Sequence, residues 1–173
     1  MKALAIGGEP ATGKTTLIKH IFKDFIFQNF SYGLLKGHYI KNYNLIIMGI
    51  YDCKGVFQGT DRLSMAVNND FCKFIKLNKY NILFEGDRLF SLNNLILVNT
   101  IYDSKIIILQ QDEITLKNRH LDRNDTQSEV FLKGRKTKIS NIKQRLKDKI
   151  EVHKLNNIEE TIKLANILVD WIK

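Results

Sequence analysis

The sequence predicts an α/β protein, a three-layer sandwich with a mostly parallel central sheet. Three observations predict it. Short apolar runs alternate with segments of helical period along the whole chain. The run Lys105-Ile-Ile-Ile-Leu109 is apolar almost throughout, as a strand covered on both faces has to be. A glycine turn separates the first run, Ala3-Leu4-Ala5-Ile6, from Leu17, Ile18, Ile21, Phe22 and Phe25 at helical spacing.

The elements follow in order. After the first strand and helix, Tyr32 to Ile40 and Leu45 to Tyr51 read as two strands joined by a turn at Lys41 to Asn44. Leu63, Ala66, Val67, Phe71, Phe74 and Ile75 give a helix, and Asn81 to Phe84 a short strand ending at Glu85. Leu92 to Val98 suggests a helix before the central strand 105–109. Asp112 to Arg123 begins as a helix, Asn124 to Gln127 reads as a loop, and Ile139, Ile142 and Leu146 mark another helix. Ile150 to Leu155 alternates as a last strand. Asn157 with Glu160 resembles a capping box, opening a helix whose buried face is Ile158, Ile162, Ala165, Val169 and Ile172.

The chain has 173 residues, one proline and no Gly/Ser-rich linker, so a single domain over 1–173 is expected. No apolar run is long enough to span a bilayer, and Met1-Lys2-Ala3 leads straight into a strand; a cytoplasmic protein without membrane contact is the expectation. Cys53 and Cys72 lack metal spacing and read as reduced structural thiols. The formal net charge is +9. From Lys133 to Lys149 the cations Lys133, Arg135, Lys136, Lys138, Lys143, Arg145, Lys147 and Lys149 are opposed only by Asp148. Such a segment is either a solvated helix face or a surface that meets nucleic acid.

Gly8-Glu9-Pro10-Ala11-Thr12-Gly13-Lys14-Thr15 fits G-x-x-x-x-G-K-[ST] between a strand and a helix, the setting a phosphate-binding loop requires. Gly8 and Gly13 let backbone amides approach phosphate oxygens, and the helix beginning near Lys14 adds its positive end. Lys14 would reach the β- and γ-phosphates, and the Thr15 hydroxyl, followed by Thr16, would ligate magnesium. These residues predict a bound nucleoside triphosphate with Mg2+; no base-reading motif separates ATP from other triphosphates. Glu85-Gly-Asp87-Arg88, at the end of an apolar strand, supplies carboxylates that orient magnesium water or accept a proton. Gly59-Thr-Asp61-Arg62 puts an Asp–Arg pair near a helix start, where Asp61 either caps the helix or takes a hydroxyl proton while Arg62 holds a phosphate. Arg119, Arg123 and Arg135 lie in a stretch, about 119–138, suited to a small helical lid that closes on a triphosphate. Asp52-Cys-Lys-Gly55 fits the D-x-x-G of GTPases only weakly, and Asn78-Lys-Tyr-Asn81 lacks the Asp of the guanine-reading N-K-x-D.

Four blocks carry a resemblance: Gly7-Gly-Glu-Pro-Ala-Thr-Gly-Lys-Thr-Thr16, Phe57-Gln-Gly-Thr-Asp-Arg-Leu-Ser-Met65, Phe84-Glu-Gly-Asp-Arg-Leu89 and Phe131-Leu-Lys-Gly-Arg-Lys-Thr-Lys138. Together they resemble bacteriophage P-loop DNA kinases of thymidine hypermodification, within the nucleotide and nucleoside kinases. Ala11 stands where many phosphate loops have glycine. The resemblance implies a nucleoside-monophosphate-kinase-like P-loop fold and transfer of the γ-phosphate of ATP to the hydroxymethyl group of 5-hydroxymethyluracil in phage DNA. Asp61 would be the base, with Asp87 the second choice; Lys14, Arg119, Arg123 and Arg135 would stabilise charge. Thr15 and Glu85 would serve magnesium, and Asp61, Arg62, Arg88 and Lys138 the DNA acceptor, whose hydroxymethylated pyrimidine has to leave the stack if the DNA is double-stranded. Two other readings share the residues: a kinase for a free nucleoside or nucleoside monophosphate, and a non-catalytic ATP-binding protein associated with nucleic acid.

Overall fold

Successive side chains of a strand point to opposite faces of its sheet, and in this chain both faces are covered. The computed structural model describes residues 1–51, 58–122 and 127–173. Along β1 (Lys2–Gly8), Ala3 and Ala5 pack into one core and Leu4 and Ile6 into another. The first core collects the buried sides of α2 (Asn68–Leu77), α3 (Leu92–Ile101) and α5 (Glu129–Arg145). The second collects α1 (Lys14–Phe22) and α6 (Ile158–Ile172). The result is an α/β fold of three layers, helices, sheet and helices.

The sheet has seven strands: β1, β2 (Gln28–Tyr32), β3 (Leu35–Ile40), β4 (Leu45–Met48), β5 (Asn81–Glu85), β6 (Asp103–Gln110) and β7 (Ile150–Lys154). Their order is β2-β3-β4-β5-β1-β6-β7, and β4 through β7 in that order pair in parallel. Only the β2–β3–β4 end is antiparallel. The chain leaves β1 toward the β4 side and later crosses to β6, so the strand order reverses at β1. In open α/β sheets a ligand crevice forms at the carboxyl ends of the strands beside such a reversal. Gly8 and Glu85 end adjacent strands there.

Three expectations differ from the structure. The strand read over Tyr32 to Ile40 is a hairpin, with β2 turning at Gly33-Leu34 into β3. Gly33 has φ 57°, and Asp70 of α2 pins the turn by accepting the Leu34 amide at 2.8 Å. The helix read from Leu63 begins at Asn68; Leu63 and Val67 are buried ahead of it. The buried face of α6 is Thr161, Leu164, Ala165, Leu168 and Ile172, with Ile158 exposed at the first turn. The cap of that helix is close to the expected one. Asn157 accepts the Glu160 amide at 2.8 Å, while the Glu160 side chain reaches one residue further back, to the Asn156 amide at 2.7 Å. Among the described residues no helix is long and apolar enough to cross a membrane.

Candidate functional site

The loop from Gly8 to Thr15 leaves β1 and enters α1 without a side-chain cap; Gly13, at φ 95°, is the N-cap residue. Gly8 has φ 142°, and a Cβ there would collide with the Leu109 carbonyl of the neighbouring strand. The loop folds over itself: the Thr12 hydroxyl and the Lys14 ammonium both donate to the Glu9 carbonyl at 2.8 Å. Uncapped first-turn amides, the dipole of α1 and the Lys14 charge together make this turn attractive to an anion.

Ala11 is the departure that matters in the loop. It is buried and has φ 62°, in the left-handed region where a Cβ is disfavoured. Ala11→Gly is therefore expected to raise stability by about 1 kcal/mol. Urea unfolding of the two proteins measures it; equal midpoints would show that the loop carries no strain there.

Glu85 ends β5 beneath this loop and is only 2 % exposed. The Thr15 hydroxyl donates to its Oε1 at 3.2 Å. Thr60 fixes the strand end by donating its hydroxyl to the Glu85 carbonyl, and a Cβ on Gly59, at φ 72°, would strike the Glu85 carboxylate. Burial pushes the Glu85 carboxyl up to about 7, with Lys14 lowering it, Asp61 raising it and the Thr15 hydrogen bond lowering it. The folded protein thus holds a proton that the unfolded chain has released above pH 4.5. Ligand-free stability should fall by about 3 kcal/mol from pH 4.5 to about 7 on account of this group. Denaturant unfolding across that range should show the slope, and Glu85→Gln should remove it. A wild-type profile identical to that of the variant would contradict the assignment.

Asp61 sits in a 3-10 turn, Thr60–Arg62, rather than capping a helix. Its Oδ1 accepts the Asp87 amide at 3.1 Å, which brings it against Gly86 at φ 91°. Asp87 is held from the other side. Arg135 pairs with its Oδ2, and Lys138 reaches Oδ1 at 2.7 Å and the Asp87 carbonyl at 2.9 Å. Arg135 and Lys138 lie one turn apart on α5, so this clasp fastens α5 to the end of β5. The Arg135 guanidinium also stacks on Phe131 at 4.5 Å.

Two cavities flank the glycine loop. The larger, about 770 Å³, is lined by Gly8, Lys14, Thr15, Asp61, Glu85 and Asp87, with Gln58, Arg88, Phe90, Phe131, Arg135 and Ile139 around them. The smaller, about 310 Å³, lies on the other side of the loop, between Thr12, Gly13, Thr16 and Arg119 and the start of α6 at Asn157 and Ile158.

The expected residues thus divide. Gly8, Pro10, Ala11, Lys14, Thr15, Asp61, Glu85, Asp87, Arg88 and Arg135 share the larger cleft. Thr12, Gly13 and Thr16 face the smaller one with Arg119, which donates to the Ala11 carbonyl at 3.1 Å. Asp87 and Lys138 are engaged with each other, so Asp87 acts here as an anchor and not as an open base. Arg62 is exposed on the 3-10 turn, and Glu9 contributes its carbonyl to the loop. Arg123 and Asp52 to Gly55 lie outside the described residues. Sequence reasoning missed the roles of Thr60 and Phe90. Gly7 carries the one signal for Phe90: a Cβ at Gly7 would overlap that ring.

Among the described residues no group of three or more His, Cys, Asp or Glu side chains is arranged to hold a metal ion. A Thr–carboxylate pair is still a sufficient protein share for magnesium, which takes one or two carboxylates and completes its shell with water and phosphate oxygens. The donor set of Thr15 and Glu85 fits that ion.

No protein-family model matches the chain, and no curated protein matches it. A crystal structure of an uncharacterized protein from Eubacterium ventriosum ATCC 27560 is similar over 99% of this chain and 98% of that one, at 12% identity and a TM-score of 0.48. A likeness of that strength carries no argument about chemistry, so the functional reading rests on the site itself.

Proposed function

We propose that this protein is a P-loop kinase with a nucleoside-monophosphate-kinase-like fold, transferring the γ-phosphate of ATP to the hydroxymethyl group of 5-hydroxymethyluracil in phage DNA, in the cytoplasm of the host. The observation that carries the reading is the Thr15 hydroxyl 3.2 Å from the buried Glu85 carboxylate, on the floor of a cleft that also holds Lys14 and Asp61. A glycine turn before an ordinary helix has no need of that company.

On this reading the loop amides and Lys14 hold the β- and γ-phosphates. Thr15 and Glu85 would hold magnesium, which would supply charge neutralisation on the transferring group. The smaller cavity, beside Arg119 and Asn157, would take the nucleoside. The acceptor hydroxyl enters the larger cleft. Asp61 takes its proton as the new O–P bond forms, the bond to the β,γ-bridging oxygen breaks, and ADP leaves. Asp87 holds Arg135 and Lys138 close by, where they can meet negative charge on the transferring group or the DNA. The excess of cations on and after α5 supplies the sequence-independent part of DNA binding.

The test is transfer of labelled γ-phosphate from ATP to ordinary DNA, to DNA containing 5-hydroxymethyluracil or 5-hydroxymethylcytosine, and to free nucleosides and nucleotides. Label confined to hydroxymethyluracil DNA supports the reading. Label on a free nucleoside or nucleotide makes the protein a small-molecule kinase. ATP turnover without any labelled acceptor removes the kinase assignment.

A further inference from the structure

The mouth of the larger cleft has apolar side chains on both banks. On one bank Met65 is 77% exposed, although its neighbours Leu63 and Val67 are buried at 4% and 1%. The backbone holds it out. The Val67 amide donates to the Ser64 carbonyl at 3.2 Å, closing a turn with Met65 at its corner, and the Ala66 amide donates to the Ser64 hydroxyl at 3.2 Å. The Leu63 amide, bonded to the Thr60 carbonyl at 2.9 Å, ties this turn directly to the one carrying Asp61. Arg88, which lines the cleft, reaches the Met65 sulfur, so the corner stands at the rim. On the other bank Val130, 83% exposed, precedes the cleft-lining Phe131 at the start of α5.

Two properties of this mouth need a common explanation. Large apolar side chains are held in water at a fixed place, and two cations stand beside Met65: Arg88, which reaches its sulfur, and exposed Arg62 three residues before it. A free nucleotide inside the cleft would not touch Met65. A polymer would, because the residues on either side of the reacting base remain outside. A base drawn from a duplex leaves a gap, and its unstacked neighbours present flat apolar faces at that gap. An unbranched, polarizable side chain flanked by phosphate-binding cations matches such a gap.

We propose that Met65 is a wedge that enters double-stranded DNA and fills the space left when the acceptor base turns into the cleft. The inference rests on the DNA-kinase reading and deepens it, naming duplex DNA as the substrate form and Met65 as a residue that selects it. Met65 touches neither ATP nor the reacting hydroxyl, so its role is in positioning.

The experiment compares kcat/KM for three oligonucleotides carrying one 5-hydroxymethyluracil: single-stranded, paired with adenine in a duplex, and opposite an abasic site in the same duplex. Met65→Ala should lower the ratio of paired-duplex to single-strand kcat/KM roughly tenfold relative to wild type. The abasic duplex, in which the base is already loosened, should recover most of that ratio, and Met65→Leu should retain it. An unchanged ratio in Met65→Ala, or a wild type that labels the single strand and never the paired duplex, overturns the wedge while leaving the kinase intact. A wild type that labels none of the three removes the reading beneath it. A thermal melt of Met65→Ala checks the fold; with the side chain exposed, the midpoint should match wild type.

Discussion

Lys14→Ala should lower phosphoryl transfer from ATP about a thousandfold while leaving the protein folded. The side chain is half-buried and donates to the Glu9 carbonyl at 2.8 Å, and its removal leaves that carbonyl still bonded by the Thr12 hydroxyl. The loss would fall on the reaction because Lys14, first residue of α1, lines the cleft with Thr15 and Glu85, where charge on the transferring phosphoryl would otherwise have no cation from the loop. Steady-state transfer assays and a urea melt, run together, separate the two effects. A variant that retains a tenth of wild-type transfer would remove Lys14 from the chemistry. The variant has a second effect through Glu85. Lys14 is the largest influence drawing that carboxyl downward, so without it the carboxyl should hold its proton to higher pH, and the fall of stability with pH should extend further toward alkaline values.

Asp61→Asn is expected to retain ATP binding and lose about three orders of magnitude in transfer, the scale of a general base. Asparagine keeps Oδ1, and so keeps the bond to the Asp87 amide that ties the 3-10 turn to the end of β5. What it loses is the ability to take a proton. Calorimetric titration with a non-hydrolysable ATP analogue reads the first property, and labelled transfer reads the second. Undiminished transfer would move the base elsewhere. Asp87 is poorly placed to inherit the role, since Arg135 and Lys138 occupy its two carboxylate oxygens.

Much of this site was legible in the sequence because its parts sit at strand ends. A glycine loop after β1 and a carboxylate closing β5 are local patterns, and adjacent parallel strands bring them together without further information. Asp61, in a 3-10 turn, was legible through the glycine before it. The partners of the cations on α5 were not. A run of lysine and arginine on a helix states how much charge there is and not which carboxylate it meets, so the clasp of Arg135 and Lys138 on Asp87 appears only in three dimensions. Arg119 was placed in the same stretch by sequence, yet α4 (Glu113–Asp122) carries it to the opposite side of the glycine loop. In the fold, β2 was missed because it is an edge strand with no fully buried residue, so its alternation is weak. The phase of α6 was shifted because the first apolar residue after the cap, Ile158, lies in the exposed first turn, while Thr161, polar by type, is buried.

The two cavities on either side of the glycine loop have a kinetic and stereochemical consequence. On the kinase proposal, donor and acceptor would approach through separate doors, so neither would block the other and both would reside on the protein when the phosphoryl group moves. Initial-rate plots should therefore intersect, in the manner of a ternary complex, and no parallel-line pattern from a phosphorylated protein should appear. With the incoming and departing oxygens on opposite sides of phosphorus, a single in-line displacement inverts its configuration. A chiral γ-thiophosphate donor would record that inversion in the product.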